Sequence, residues 1–211
     1  MIEEAGGYGF FQVWTGIVIL LAVRFGTLLM HAMPFLLQYP DYICYEKGPG
    51  GFETYLNNYD CTPHNFCNNG NIRAERIESK SLLQNWVYEY NLTCAGPGVI
   101  PAFYLALYLG LAFGGLIIGP MTDSYGKKVI FLVSLTTILS IYCLILVMED
   151  YSHLHIYIFV YAFALAGAII SGLLLTLQHI PKKSWPIVIL SFFLLEGLTS
   201  IGIGVYFRHI N

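Results

Sequence analysis

The sequence predicts an all-α integral membrane protein with five membrane-spanning helices and one cysteine-bearing loop outside the bilayer. Three observations carry that expectation. Hydrophobic residues make up 56% of the 211 and charged residues only 11%, with a mean hydropathy of +0.63, a balance outside the range of ordinary water-soluble domains. Five stretches are long enough to cross a hydrocarbon core of about 30 Å, which takes about 20 helical residues with every backbone N–H and C=O bonded inside the segment. The single sizeable polar segment holds Cys44, Cys61, Cys67 and Cys94. A net charge of −3 with scattered Lys and Arg leaves no basic stripe, which argues against a nucleic-acid partner.

The first span covers residues 10–37 and is apolar apart from a few polar side chains, among them Arg24 and His31. It follows Glu3 and Glu4 rather than a basic segment and carries an arginine at its centre. It therefore reads as a retained helix, not a cleaved signal peptide, with Met1 starting the mature chain. Residues 38–98 form the outer loop. Its four cysteines read as two disulfides in any of three pairings; a zinc site of Cys61, His64, Cys67 and Cys94 is the competing reading. That spacing fits no standard zinc pattern and the loop faces an oxidising side, so no metal is assigned. Asn91-Leu92-Thr93 is a glycosylation sequon, usable if the loop enters the secretory pathway.

Residues 99–120, 129–148 and 156–178 form spans two to four and contain no Asp, Glu, Lys or Arg. Cys143 in the third is expected to be a buried apolar filler. The fifth span, 185–207, has Glu196 at its middle. Lys127 and Lys128 follow span two, Lys182 and Lys183 follow span four, and Glu149 and Asp150 follow span three. The lysine turns, together with the N-terminus, are expected on the cytoplasmic or matrix side, and the C-terminus opposite, although Arg208 runs against the rule.

An ionised group at mid-span costs about 3 kcal/mol or more unless it is paired or hydrated, so Arg24 and Glu196 are expected to pair. His31 lies seven residues from Arg24, two turns along the same face, and joins them in one polar seam. The seam reads either as a substrate or proton site, or as an internal tie or partner contact. Gly110, Gly114, Gly115 and Gly119, then Ala164, Ala168 and Gly172, and less regularly Gly197, Gly202 and Gly204, form small-residue stripes suited to close helix packing in lipid. Tyr8, Trp14, Tyr39, Tyr42, Trp86, Tyr90, Tyr151 and Trp185 read as an aromatic belt at the span ends. No side-chain constellation points to an enzyme, and no cofactor is expected.

Four motifs in order, "GGYGFFQ" at 6–12, "YPDYIC" at 39–44, "WVYEYNLTC" at 86–94 and "GPMTDSYGKK" at 119–128, resemble the organic cation transporter family of the major facilitator superfamily. The resemblance implies the N-terminal half of that fold. Gly119, Asp123, Gly126, Lys127 and Lys128 match the family pattern G-x-x-x-D-R-x-G-[KR]-[KR], which implies a gate turn in which the glycines bend the chain and Asp123 caps or pairs across the carrier. Ser124 stands where the pattern has arginine; Phe163 stands where span four would carry another; Gln178 replaces the acid before Pro181. These changes remove gating charges.

The chain ends at Asn211 after five spans, and a single half lacking its sixth helix is not expected to alternate alone. The expectation is therefore a transporter-derived protein that no longer transports by itself and serves as a structural or accessory subunit of a larger membrane complex. A mitochondrial inner-membrane respiratory assembly and the plasma membrane both fit. The alternative is half of an organic cation carrier, completed by a partner chain or self-assembly, with a small organic ion as ligand only in that case.

Overall fold

The computed structural model describes residues 9–47, 53–55, 61–68, 71–76, 85–96, 98–148 and 150–209. Glu3, Glu4, Tyr8, Glu149, Ile210 and Asn211, which entered the orientation, motif and belt arguments, lie outside them. In chain order the elements are α1 (Phe10–Leu36), β1 (Tyr42–Lys47), β2 (Glu53–Tyr55), α2 (Pro63–Asn68), β3 (Ile72–Arg76), α3 (Trp86–Glu89), α4 (Val99–Tyr125), α5 (Lys127–Val147), α6 (Leu154–Gln178) and α7 (Trp185–His209). The helices α1, α4, α5, α6 and α7 are long and apolar enough to span a membrane, the mark of an integral membrane protein. The chain divides into two compact units, residues 1–31 with 102–203, and residues 32–101 with 204–211.

In the first unit α6 is the most buried of the spans, with Ile158, Tyr161, Ala162, Leu165, Ala168 and Gly172 enclosed. Its alanines and glycines let neighbours approach to backbone distance, which is the basis of packing where lipid removes any hydrophobic drive between helices. A Cβ on Gly110 of α4 would lie 2.5 Å from the Phe159 carbonyl oxygen and 2.7 Å from Ala162 Cβ; one on Gly114 would lie 2.7 Å from Ala166 Cβ. Gly115 and Gly119 instead face open space, so the four-glycine stripe divides into a packed half and an open half. On the α5 side, Gly172 meets Phe131. Ile19 and Val23 of α1, Phe131 and Phe192 form a core cluster. Cys143 is exposed, on the outward side of α5, and not the buried filler expected of it; the apolarity of the whole span hid which face it occupies.

The second unit contains a three-stranded antiparallel sheet in the order β2-β1-β3, where the sequence showed only a polar loop. Cys44 pairs with Ala74 across β1 and β3, and Tyr45 with Tyr55 across β1 and β2. The disulfides are Cys44–Cys61 and Cys67–Cys94, which selects one of the three pairings and takes up the sulfurs that the zinc reading needed. Asn85 caps α3 by accepting from the Tyr88 N–H at 3.1 Å and donates to the Gln38 carbonyl at 2.5 Å. Trp86, Val87, Tyr90 and Leu92 are buried here, so Trp86 and Tyr90 belong to a packed core and not to an interfacial belt. Burial, with Glu89 next to it, raises the pKa of the Tyr90 hydroxyl.

Candidate functional site

The polar seam expected from the sequence lies within the first unit, on α1 and α7. Arg24 is only 8% exposed, and its Nη1 pairs with the Glu196 carboxylate at Oε2. The other carboxylate oxygen, Oε1, lies 2.5 Å from His31 Nε2. Glu196 thus bridges two groups that sit two turns apart on α1. Phe192, one turn before Glu196, lies under the guanidinium with its ring centroid 4.7 Å from Cζ, so the cation is covered by an aromatic face as well as by the carboxylate. Arg24 Nε is buried with no hydrogen-bond partner among the described residues.

Between Arg24 and His31 the α1 backbone carries a second polar cluster that sequence reading missed. The Tyr161 hydroxyl donates to the Gly26 carbonyl at 2.7 Å and accepts from the Met30 N–H at 3.1 Å. Those two backbone groups are the ones an α-helix joins by its own i→i−4 bond. Tyr142 donates to the same Gly26 carbonyl at 2.9 Å and to that of Phe25 at 3.0 Å. Two tyrosines from α5 and α6 therefore hold one short stretch of α1. Their only sequence signal is a phenol deep in an apolar span, where its O–H must find a partner.

The gate-motif residues are placed differently from a loop. α4 continues through Pro120 to Tyr125, so Gly119, Asp123 and Ser124 are helical; the Thr122 and Ser124 hydroxyls donate back to the Ile118 and Pro120 carbonyls. Asp123 is exposed and makes no hydrogen bond or ion pair among the described residues. The turn itself is Gly126, at φ +90°, a region that favours glycine. Lys127 and Lys128 open α5, where the helix dipole disfavours positive charge. They also follow the end of α4 at Tyr125, where the dipole favours positive charge.

The end of α6 is fixed by Trp185, expected from the sequence in the aromatic belt, and by His179. The Trp185 indole N–H donates to the Leu177 and Ile180 carbonyls at 3.1 and 3.2 Å, and His179 Nδ1 lies 2.7 Å from the Leu175 carbonyl. On the other connection the Asp150 carboxylate caps the turn at Ser152, accepting from its N–H at 3.3 Å and its hydroxyl at 2.8 Å. These bonds hold the Asp150 carboxyl below its ordinary pKa. In the second unit Asn91 is exposed in a left-handed conformation, φ 51°, and Thr93 of its sequon meets the Tyr42 hydroxyl at 2.7 Å. No family model matches the chain, and no curated protein matches its sequence.

Proposed function

We propose that this protein is a transporter-derived membrane subunit without an enzymatic role, one that no longer carries a solute by itself and acts as a structural or accessory component of a larger membrane assembly. The observation that carries this reading is the closure of the seam on itself. Arg24, Glu196 and His31 meet one another and the face of Phe192, which leaves no free carboxylate at that depth to recruit an organic cation. A carboxylate that already balances a buried guanidinium is held by a pairing whose loss is costly. Outside the seam, α7 presents Ile187, Phe193, Leu198 and Ile201 outward, a surface suited to lipid or to neighbouring subunits.

The likeness of residues 119–128 to the organic cation transporter pattern supports the transporter origin, and the major facilitator half-fold belongs to this proposal. A mitochondrial inner-membrane respiratory assembly is the setting that suits an accessory subunit with disulfides on its outer side; the sequon at Asn91 favours the plasma membrane. The test is extraction in mild detergent followed by native electrophoresis and identification of stoichiometric neighbours. Comigration with a much larger assembly that dissolves on deletion of this chain supports the subunit reading. Uptake of an organic cation into liposomes, abolished by Glu196→Gln, would replace it with the carrier reading, in which a partner chain completes the site.

A further inference from the structure

The two disulfides of the second unit occupy opposite environments. Cys44 is 0% exposed and lies in β1, the central strand of the sheet, so the Cys44–Cys61 bond is anchored at a fully enclosed residue. Cys67 and Cys94 are both exposed. They line an open cavity of about 160 Å³ together with Tyr39, His64, Asn68 and Thr93. His64 and Cys67 are three residues apart on α2, a spacing that places both on one helix face.

We propose that Cys67–Cys94 is a thiol-exchange site for small thiols, with His64 as its proton carrier, while Cys44–Cys61 is a permanent structural bond. Exchange needs access to one sulfur and a way to protonate the sulfur that leaves; Cys67 and Cys94 line the open cavity, and His64 lines it with them. A small thiol entering the cavity gives its proton to His64. The thiolate attacks Cys94 Sγ, the Cys67–Cys94 bond breaks, and its electron pair stays on Cys67 Sγ, which takes the proton back from His64. The product is a mixed disulfide on Cys94 and a free Cys67 thiol. A second thiol then releases the first as its own disulfide and leaves both cysteines reduced, two electrons having come from the two thiols. Cys67 is the leaving sulfur because His64 shares its helix face, and an adjacent imidazolium stabilises a thiolate.

Opening this bond does not dismantle its surroundings. The Tyr42 hydroxyl contact with Thr93 at 2.7 Å, the Tyr42–Phe66 ring contact at 5.1 Å between centroids, and the Cys44–Cys61 bond remain to hold α2 near the sheet. Such a bond is reversible in place.

The experiment exposes the intact protein in detergent micelles at neutral pH to increasing reduced glutathione, followed by quenching with N-ethylmaleimide and peptide mass spectrometry. The expected result is that Cys67 and Cys94 are labelled at thiol concentrations on the order of tenfold below those that label Cys44 and Cys61. A glutathione adduct on Cys94 should appear as the intermediate. His64→Gln should slow opening of Cys67–Cys94 severalfold and leave Cys44–Cys61 unchanged. Both bonds opening together, Cys44–Cys61 opening first, neither opening before denaturation, or a His64→Gln variant that exchanges at the native rate would each overturn the proposal. None of these outcomes depends on whether the chain is a subunit or a carrier.

Discussion

At the level of single residues, the dominant fact is a buried arginine whose charge is answered by one carboxylate. Removing that carboxylate leaves an uncompensated cation, which costs about 3–5 kcal/mol for a buried pair broken from one side. Glu196→Ala should therefore lower stability by about that amount in a reversible denaturant titration monitored by tryptophan fluorescence. Arg24→Ala made in the same background should recover much of the loss, because the unpaired charge is then gone. Additive losses from the two substitutions would mean that the pair is not coupled. Tyr161→Phe removes one hydroxyl and with it the bonds to Gly26 and Met30. Its expected cost is smaller, about 1 kcal/mol, because hydrogen bonds within membranes average well below their gas-phase strength and the α1 backbone retains its own helical partners. The pairing of Arg24 with Glu196 was legible from charge sign and depth alone. The tyrosine cluster was not, because a phenol in an apolar run carries no sign that says which backbone carbonyl it will find.

At the level of helices, the same residue type has opposite meanings on two faces of α4. Gly110 and Gly114 stand against α6 at distances no Cβ tolerates, whereas Gly115 and Gly119 meet nothing within 4 Å. Gly110→Leu should destabilise the protein by about 3 kcal/mol, the upper end for overpacking, since the obstructing atom is backbone. Gly115→Leu should stay within about 0.5 kcal/mol of the native protein in the same titration. Equal effects would refute the α4–α6 contact. The sequence displayed the stripe but not its division, since a helix face is chosen by its neighbour. Span positions were legible to within a few residues, because length and apolarity are set by the bilayer. The largest shift was at α4, where the span expected over 99–120 continues to Tyr125. The sheet escaped reading because its strands are three to six residues long and Ile72–Arg76 is mostly charged or small, which blurs any period-two pattern.

The cap at Asp150 gives this scale a pH dependence. Its folded pKa lies below the ordinary carboxylate value, so the unfolded state binds the proton first as pH falls. The cap's contribution is present above the ordinary Asp pKa and is lost as pH drops through the lower folded value. Amide exchange at Ser152 should accelerate relative to its neighbours in that acidic window, and Asp150→Asn should remove the pH response. An unchanged response in that variant would assign it to another group.

For the molecule as a whole, the decisive asymmetry is the placement of charge at the short connections. Lys127 and Lys128 begin α5, and Lys182 and Lys183 lie just before α7, both at helix starts where the dipole offers them nothing. Asp150 lies on the intervening connection. Asp150 stands at a helix start, as the dipole favours, whereas the four lysines stand at helix starts against it. The positive-inside rule predicts that these lysines resist translocation and set the orientation of the spans beside them. A single free thiol introduced at Ser124→Cys, and another at Ser152→Cys, each in a Cys143→Ser background with both disulfides kept, should be labelled by a membrane-impermeant maleimide from opposite sides of sealed vesicles. Replacing all four lysines by glutamine should produce a mixed population in which each reporter is labelled from both sides. Retention of a single orientation in the quadruple variant would shift the determinant to the other charged groups, Arg208 among them.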